Sequence, residues 1–379
     1  MKRIVFTIVV CLTLVLPARS QEFSAFLGKI GGLPEKERQP ATEAYLASLR
    51  AIPVIEHDTL VHFLYQGEAR HVALAGDMTG WKAGPAFNNI KGTRFWYLTA
   101  HYEPDARLDY KLVTDTAWIR DPLNPRTCTS GFGVNSELRM PRNAVPAETV
   151  MHSEVPKGTL SERILPSAAM KMDRKITVYL PAGFIRGTGS WPVVLFHDGV
   201  DFLKICRAPT ILDNLIAGKQ IRPVIAVFLH PVDRDGEYSG QWRMAYTRFV
   251  ALELMPYLQS EFGVSLSPAD HALLGISNGG NIALRIGFEH PEIFGKIAAL
   301  SSNVTDEVQG MARSGNKRDL FIYLDIGKYD IDLLIGMTGK LRETLKKKSY
   351  RVDFRQWNEG HSWGNWREHL KGPLVDFFE

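Results

Sequence analysis

The sequence predicts an α/β protein with a mostly parallel sheet, preceded by a small all-β sandwich of immunoglobulin type. Three observations lead to this prediction. β-favouring runs alternate with helical segments after residue 170, short strand-like runs crowd residues 51–150, and a strand–turn–helix pattern spans 271–290. Alternation of strands and helices indicates a parallel sheet covered on both faces, whereas short strands separated by Gly, Pro and Asp indicate a sandwich.

The first twenty residues have the pattern of a secretory signal peptide. Lys2 and Arg3 precede an apolar run at 4–16, and residues 18–20 read as a small-residue cleavage site. The apolar run is too short for a comfortable membrane span. We therefore expect residues 1–20 to be a signal peptide and the protein to be exported, periplasmic or extracellular, without a membrane span.

The rest of the chain divides into three predicted segments. Residues 21–50 read as helical, with interruptions at Gly31–Gly32 and near Pro40. Residues 51–150 form the sandwich, and residues 151–379 form the α/β domain, which we expect to have its own core and to react with small esters alone. The predicted strands are 60–65, 71–75, 95–101 and 108–113 in the sandwich, and 176–180, 192–197, 223–229, 272–276, 296–300, 320–325 and 352–357 in the α/β domain.

Charge and cysteine content narrow the possible functions. The formal net charge of +4 is spread along the chain, so nucleic-acid binding has little support. Export would leave two cysteines, Cys128 and Cys206, and the sequence leaves open whether they pair. The chain has no Cys/His pair with metal-ligand spacing and no HExxH motif, so we expect neither a metal nor an organic cofactor.

The strand–turn–helix pattern contains a candidate nucleophile. Residues 275–279 read G-x-S-x-G around Ser277, with an apolar run before them and a helical segment up to Pro291 after them. A nucleophile elbow needs this context, because a tight turn lifts the serine hydroxyl above the sheet edge. The alternative is that Ser277 only caps the helix N-terminus.

Acid and base candidates follow in the order that the elbow predicts, Ser, acid, His. Asp330 comes after the strand predicted at 320–325, and Asp332, the alternative acid, begins the next helical segment. His361 lies in a loop after the last predicted strand, where it would accept and return the serine proton. A plain surface histidine is the alternative for His361.

Three motifs identify a resemblance to the esterase D and enterochelin-esterase-like group of α/β-hydrolases. Residues 360–367 (GHSWGNWR) resemble the histidine loop of the group, and 195–199 (LFHDG) the strand before its oxyanion loop. Residues 72–81 (VALAGDMTGW) are similar to early-set, starch-binding-like modules. The resemblance implies a serine esterase with Ser277, Asp330 and His361 as triad. It also implies an oxyanion hole of backbone amides, from Asn278 and from Gly199 or Val200.

Members of this group act on siderophore trilactones or on feruloyl and acetyl esters of carbohydrate. The siderophore type is expected to carry R-x-x-E, and at Arg243 the fourth residue is Tyr246. We therefore expect an aromatic acyl ester of a carbohydrate as substrate, with a siderophore ester as alternative. An acyltransferase or a non-catalytic glycan-binding protein are further alternatives.

Aromatic residues are the candidates for substrate contact. Trp242, Arg243 and Trp363 are predicted to bind a small-molecule or oligosaccharide ester through stacking and a charge-assisted hydrogen bond. For Trp366, and for Trp81 and Trp96 of the sandwich, packing is favoured over ligand binding. The sequence gives no indication of the oligomeric state.

Overall fold

The computed structural model of the chain describes residues 22–131, 133–188, 190–314 and 316–379. The predicted signal peptide lies outside these residues. Among the described helices, none combines the length and the apolar character needed to cross a bilayer.

Two helices open the described chain, α1 (Phe23–Ile30) and α2 (Glu35–Ser48), separated where Gly31–Gly32 predicted a break. The second predicted break is wrong, because Pro40 lies inside α2. Tertiary packing outweighs the cost of the missing backbone hydrogen bond. The rings of Phe26 in α1 and Tyr45 in α2 stack at 4.1 Å between centroids, and both helices pack on the sandwich.

The sandwich consists of two antiparallel sheets around one apolar core. One sheet has the order β1-β2-β5-β4, and in the other β3, β7 and β9 pair with β6, and β8 pairs with β9. The strands are β1 (Val54–Glu56), β2 (Leu60–Gln66), β3 (Val72–Gly76), β4 (Asn88–Asn89), β5 (Phe95–His101), β6 (Arg107–Thr114), β7 (Ala117–Ile119), β8 (Thr127–Ser130) and β9 (Gly133–Arg139). Four of these nine were predicted.

The α/β domain contains an eight-stranded sheet in the order β10-β11-β13-β12-β14-β15-β16-β17. All strands run parallel except β11, which is antiparallel to both neighbours. The strands are β10 (Thr159–Ser167), β11 (Met172–Leu180), β12 (Val193–Phe196), β13 (Ile225–Leu229), β14 (His271–Ile276), β15 (Lys296–Leu300), β16 (Phe321–Tyr329) and β17 (Arg351–Gly360). The sequence predicted seven of them and missed β10, an edge strand.

Helices cover both faces of this sheet, each over its own apolar core. They are α3 (Gly199–Asp201), α4 (Ala208–Ala217), α5 (Arg234–Tyr238), α6 (Arg243–Arg248), α7 (Met255–Phe262), α8 (Asn278–Glu289), α9 (Asp306–Arg313), α10 (Asp332–Lys347), α11 (Trp363–His369) and α12 (Lys371–Phe378). A π-helical segment, Phe249–Leu254, joins α6 to α7. The predicted mixed architecture of sandwich and mostly parallel α/β sheet is confirmed.

The two parts of the chain share one sheet. Strand β6 of the sandwich runs parallel to β17 and pairs with it at Arg107 and Glu359. Alternate residues of a strand face opposite sides. Leu108 and Tyr110 enter the sandwich core, so Arg107, Asp109 and Lys111, which alternate with them, face the other way. Cys128 and Cys206 are both buried and free.

Candidate active site

Ser277 stands on a sharp turn between β14 and α8. Its backbone has φ 51° and ψ −120°, a left-handed conformation that a non-glycine residue adopts only under strain. Neighbouring glycines are required sterically. A Cβ on Gly275 would lie 2.1 Å from the Gly279 carbonyl oxygen, and one on Gly279 would lie 2.9 Å from Asp198 Oδ2. The predicted strand–turn–helix therefore has the geometry of a nucleophile elbow.

Asp330, and not Asp332, is brought to His361. The distance between His361 Nδ1 and Asp330 Oδ1 is 2.8 Å, and the carboxylate of Asp330 is fully buried. Asp330 follows directly after β16, on the edge where β17 also ends. Asp332 is the exposed first residue of α10. A buried carboxylate on Nδ1 fixes the imidazole so that Nε2 can take a proton.

Ser277 and His361 line one cavity of about 460 Å³. A second cavity of about 400 Å³ adjoins it, because Ser130, Ile331, His361 and Ser362 line both. We call the two adjoining cavities together the cleft. The first cavity is also lined by Gly131, Asp198, Asp201, Arg234, Ile276, Trp363 and Trp366, and the second by Trp81, Asp109, Lys111, Trp118 and Asn135.

Two indole rings support the histidine. Trp366 meets the His361 ring edge-to-face at 4.9 Å, and Trp363 meets Trp366 in the same way at 5.2 Å. Both tryptophans are almost fully buried and both line the cleft. Trp363 thus lies where it was predicted to contact substrate. Trp366 has the packing role that was favoured for it and also contributes to the cleft wall.

Arg234 is a cleft residue that sequence reasoning missed. Its guanidinium donates two hydrogen bonds to the Asp198 carboxylate, at 2.7 and 2.8 Å, and its side chain is 40% exposed. Burial raises the pKa of Asp198, and the hydrogen bonds from Arg234 oppose this rise. A sequence signal was present, because Arg234 and Glu237 have the R-x-x-E spacing that was sought at Arg243.

The cleft does not include Trp242 or Arg243 among its described lining residues. Arg243 Nε donates to Glu307 at 2.7 Å, and Trp242 is 47% exposed outside the cleft. Tyr246 is fully buried, with its hydroxyl 3.1 Å from His197 Nδ1. The predicted substrate contacts of Trp242 and Arg243 therefore find no support. The substitution of Tyr246 for an acid no longer separates this chain from the siderophore type.

The predicted oxyanion residues begin two helices at one edge of the sheet. Gly199 is the first residue of α3 and Asn278 the first of α8, and Val200 follows Gly199. The strands before these helices, β12 and β14, are parallel neighbours. Amides in the first turn of a helix have no intrahelical acceptor, so such amides are free to bind an anion.

Comparison with known proteins assigns the chain to a family. The model of the putative esterase family matches residues 167–377, more than half of the chain. The chain belongs to the esterase family. The esterase has the fold of the enterobactin esterase FES from Shigella flexneri, with 20% identity and a TM-score of 0.72, over 88% of this chain and 97% of FES.

Two further similarities cover a smaller share of the chain. A ferulic acid esterase from the fungus Anaeromyces mucronatus superposes with a TM-score of 0.54 at 17% identity, over 62% of this chain and 96% of that one. The endo-1,4-beta-xylanase/feruloyl esterase of Xylanibacter ruminicola is 29% identical over 134 residues, which are 35% of this chain and 17% of that protein.

The sandwich of this esterase contacts both loops that carry Asp330 and His361. Glu103 accepts a hydrogen bond from the Tyr329 hydroxyl at 2.5 Å, directly before Asp330. Gly360, directly before His361, lies so close to Asp77 that a Cβ on it would stand 2.0 Å from Asp77 Cγ. The sandwich is therefore a part of the site's framework.

A possible metal-binding group lies on the N-terminal part of the esterase. Ligand atoms of Glu22, Glu56 and His57 fall within 4.8 Å of one another. Glu56 is already engaged, because its carboxylate accepts two hydrogen bonds from Ser24 and lies 3.3 Å from His62. None of these three residues lines the cleft in the described part of the chain.

Proposed function

We propose that the chain is a serine carboxylic-ester hydrolase that acts through an acyl-enzyme on esters of aromatic acids. The observation that carries the proposal is that Ser277, on its strained turn, lines the same cleft as His361. The His361 ring is hydrogen-bonded to the buried carboxylate of Asp330. This is the arrangement in which a weak nucleophile is activated by an adjacent base that a third group orients. Membership of the esterase family supports the same class of reaction.

In the proposed mechanism, Ser277 Oγ attacks the ester carbonyl while His361 Nε2 takes its proton. Asp330 stabilises the imidazolium that forms, and His361 then protonates the leaving alcohol. The amides of Asn278 and of Gly199 or Val200 would bind the oxyanion of each tetrahedral intermediate. Water, activated by the same histidine, would release the acid and restore the serine.

The cleft favours an aromatic acyl group. Trp363 and Trp366 supply apolar wall, and the exposed part of Arg234 supplies a positive charge for a phenolate, catecholate or carboxylate. Of the two substrate classes, the siderophore ester now has the better support. The R-x-x-E spacing occurs at Arg234, and the similarity to FES, a protein named for enterobactin, extends through the sandwich.

Feruloyl esters of carbohydrate are the second candidate. The observation in favour is the sequence identity to the xylanase/feruloyl esterase. This identity is 29% over 35% of the chain, whereas the identity to FES is 20% over 88% of the chain. We also propose that the protein is exported, and the expected signal peptide at residues 1–20 supports this for either substrate. Export is tested by N-terminal sequencing of the processed protein from the periplasm or medium, which should begin at Gln21.

The test of the proposed function is a comparison of kcat/KM for methyl ferulate, a catecholate trilactone and ethyl acetate. The aromatic esters should exceed ethyl acetate, by up to about tenfold for each stacking contact. Equal or better values for ethyl acetate would point to a deacetylase.

Product analysis with an acceptor alcohol separates hydrolysis from acyl transfer. Absence of fluorophosphonate labelling would indicate a non-catalytic glycan-binding protein.

A further inference from the structure

Three metal-ligating side chains meet where α1 packs on the first hairpin of the sandwich. Glu22 directly precedes α1, and Glu56 and His57 stand at the turn between β1 and β2. One ligand atom from each of the three falls within 4.8 Å of the others. Zinc ligands lie about 2.0–2.2 Å from the ion, and hence up to about 4.4 Å from one another. Glu22 and His57 are exposed, so a small rotation of either side chain closes the difference.

Glu56 is a buried carboxylate without a lysine or arginine partner. Its side chain is 4% exposed, and no Lys or Arg among the described residues pairs with it or with Glu22. Buried charges in proteins are paired or coordinate a metal. Ser24 donates two hydrogen bonds to Glu56, from its amide at 3.3 Å and from its hydroxyl at 2.6 Å. A carboxylate has about four acceptor sites, so Ser24 orients Glu56 and leaves acceptor sites for a metal.

His62 gives an independent indication of a cation beside Glu56. Its side chain is 2% exposed, and its Nε2 lies 3.3 Å from Glu56 Oε2 with no hydrogen-bond partner among the described residues. The other ring nitrogen, Nδ1, lies 2.8 Å from Thr99 Oγ1. When Nδ1 donates its proton to Thr99, Nε2 and the carboxylate are two acceptors that face each other. A metal ion on Glu56 removes the repulsion between them.

We propose that Glu22, Glu56 and His57 bind a zinc ion that fastens the start of α1 to the sandwich. One imidazole nitrogen with two carboxylate oxygens suits Zn²⁺, whereas Ca²⁺ and Mg²⁺ take oxygen ligands. A water molecule would take the fourth position. The three residues are absent from the described lining of the cleft, so the ion supports the fold and takes no part in ester chemistry. No spacing motif joins Glu22 to the other two ligands, so the sequence alone did not predict this site.

The experiment measures Zn²⁺ binding by calorimetry on untagged full-length protein that EDTA has freed of metal. The wild type should bind one more Zn²⁺ per chain than His57→Ala. Glu22→Gln should weaken binding at this site by about 100-fold or more, since loss of an outer-shell partner alone costs about 10–100-fold. His152→Ala is the matched control, because it removes another surface histidine beside a glutamate, Glu154 at 3.7 Å, and it should bind Zn²⁺ like the wild type.

Thermal melting separates metal binding from folding. Zn²⁺ should raise the Tm of the wild type and of His152→Ala, because a ligand that binds only the folded chain stabilises it. His57→Ala should melt like the metal-free wild type, with or without Zn²⁺. His57 is exposed, so this substitution removes no buried packing. Ca²⁺ and Mg²⁺ should raise the Tm of the wild type no more than that of His57→Ala.

Absence of saturable Zn²⁺ binding in the wild type would overturn the site and leave Glu56 with His62 alone. Equal binding in the wild type, His57→Ala and Glu22→Gln would overturn it as well, and so would a loss confined to His152→Ala. The site does not depend on the proposed esterase function. With a substrate in hand, kcat/KM should be the same for EDTA-treated and Zn²⁺-loaded protein. Activity that falls in step with removal of Zn²⁺ would assign the ion to catalysis and overturn its role in fastening α1.

Discussion

Arg107 of the sandwich donates a hydrogen bond from Nη1 to Ser362 Oγ at 3.1 Å, across 255 residues of sequence. Ser362 directly follows His361, and a Cβ on Gly364 would lie 1.9 Å from Arg107 Cζ. Burial alone would lower the pKa of Arg107, but Asp109 and Glu137 raise it well above its usual value. A fully buried guanidinium therefore supports the histidine loop, and the α/β domain alone would lack that support.

Arg107→Lys should destabilise the protein and misplace His361. Lysine keeps the charge but lacks the planar fork that reaches Ser362 and two carboxylates, and breaking a buried ion pair costs about 3–5 kcal/mol. We expect a lower urea midpoint and, at a temperature where circular dichroism reports folded protein, a loss in kcat rather than a rise in KM. Arg142→Lys, in an exposed pair with Asp58, is the control and should change neither quantity.

Ser277→Ala should abolish esterase activity without unfolding the protein. Loss of the nucleophile is expected to lower kcat by about 10⁴-fold or more, because the base and the oxyanion donors alone leave only residual catalysis. Fluorophosphonate labelling should disappear together with turnover. Ordinary turnover in a folded Ser277→Ala protein would refute the assignment.

Asp330→Asn should reduce kcat by about 10³- to 10⁴-fold, because an amide at this position no longer stabilises the imidazolium and favours the wrong tautomer. Asp332→Asn is the matched control, since Asp332 is exposed at the start of α10 and has no contact with His361 among the described hydrogen bonds. The pair is compared by kcat with one aryl ester. A larger loss in Asp332→Asn would exchange the two roles.

Arg234→Gln should raise KM for esters whose aromatic ring is ionised. The guanidinium is held by Asp198 at the cleft wall, and its removal leaves that buried carboxylate without its cation. Arg243→Gln is the comparison, because Arg243 binds Glu307 outside the cleft. KM for methyl ferulate above and below the pKa of its phenol measures the effect. If Arg243→Gln raises KM instead, the earlier sequence-based assignment was right.

Asp325→Asn should stabilise the protein at high pH and leave it nearly unchanged at low pH. Burial raises the pKa of Asp325 to about 7. Between the ordinary carboxyl pKa and pH 7, the unfolded chain loses this proton while the folded chain keeps it, so stability falls as pH rises through that window. Asparagine removes this penalty. Urea midpoints at pH 4.5 and pH 8 test the sign, with Asp332→Asn as an exposed control.

Local sequence determined the candidate active site of this protein. The glycines around Ser277, the strand before them and the helix after them are neighbours in the chain, so their pattern is readable directly. The order of Asp330 and His361 after Ser277, each next to a strand end, followed from the same rule. From Lys171 onward, strand-like and helix-like segments alternate, and this alternation predicted the parallel sheet. It is readable in the sequence because each strand or helix has its own hydrophobic period within a short segment.

Only the tertiary structure decided which side chains meet. Asp330 was the predicted acid and Asp332, two residues later, the alternative that the sequence left open. In the structure, Asp330 bonds to His361 and Asp332 faces solvent. The sequence did not show that Arg234, and not Arg243, lines the cleft, because residue type does not encode the direction in which a side chain points. The support of the histidine loop by Arg107 depends on β6 pairing with β17, a contact between strands that are distant in the chain and that no local period records.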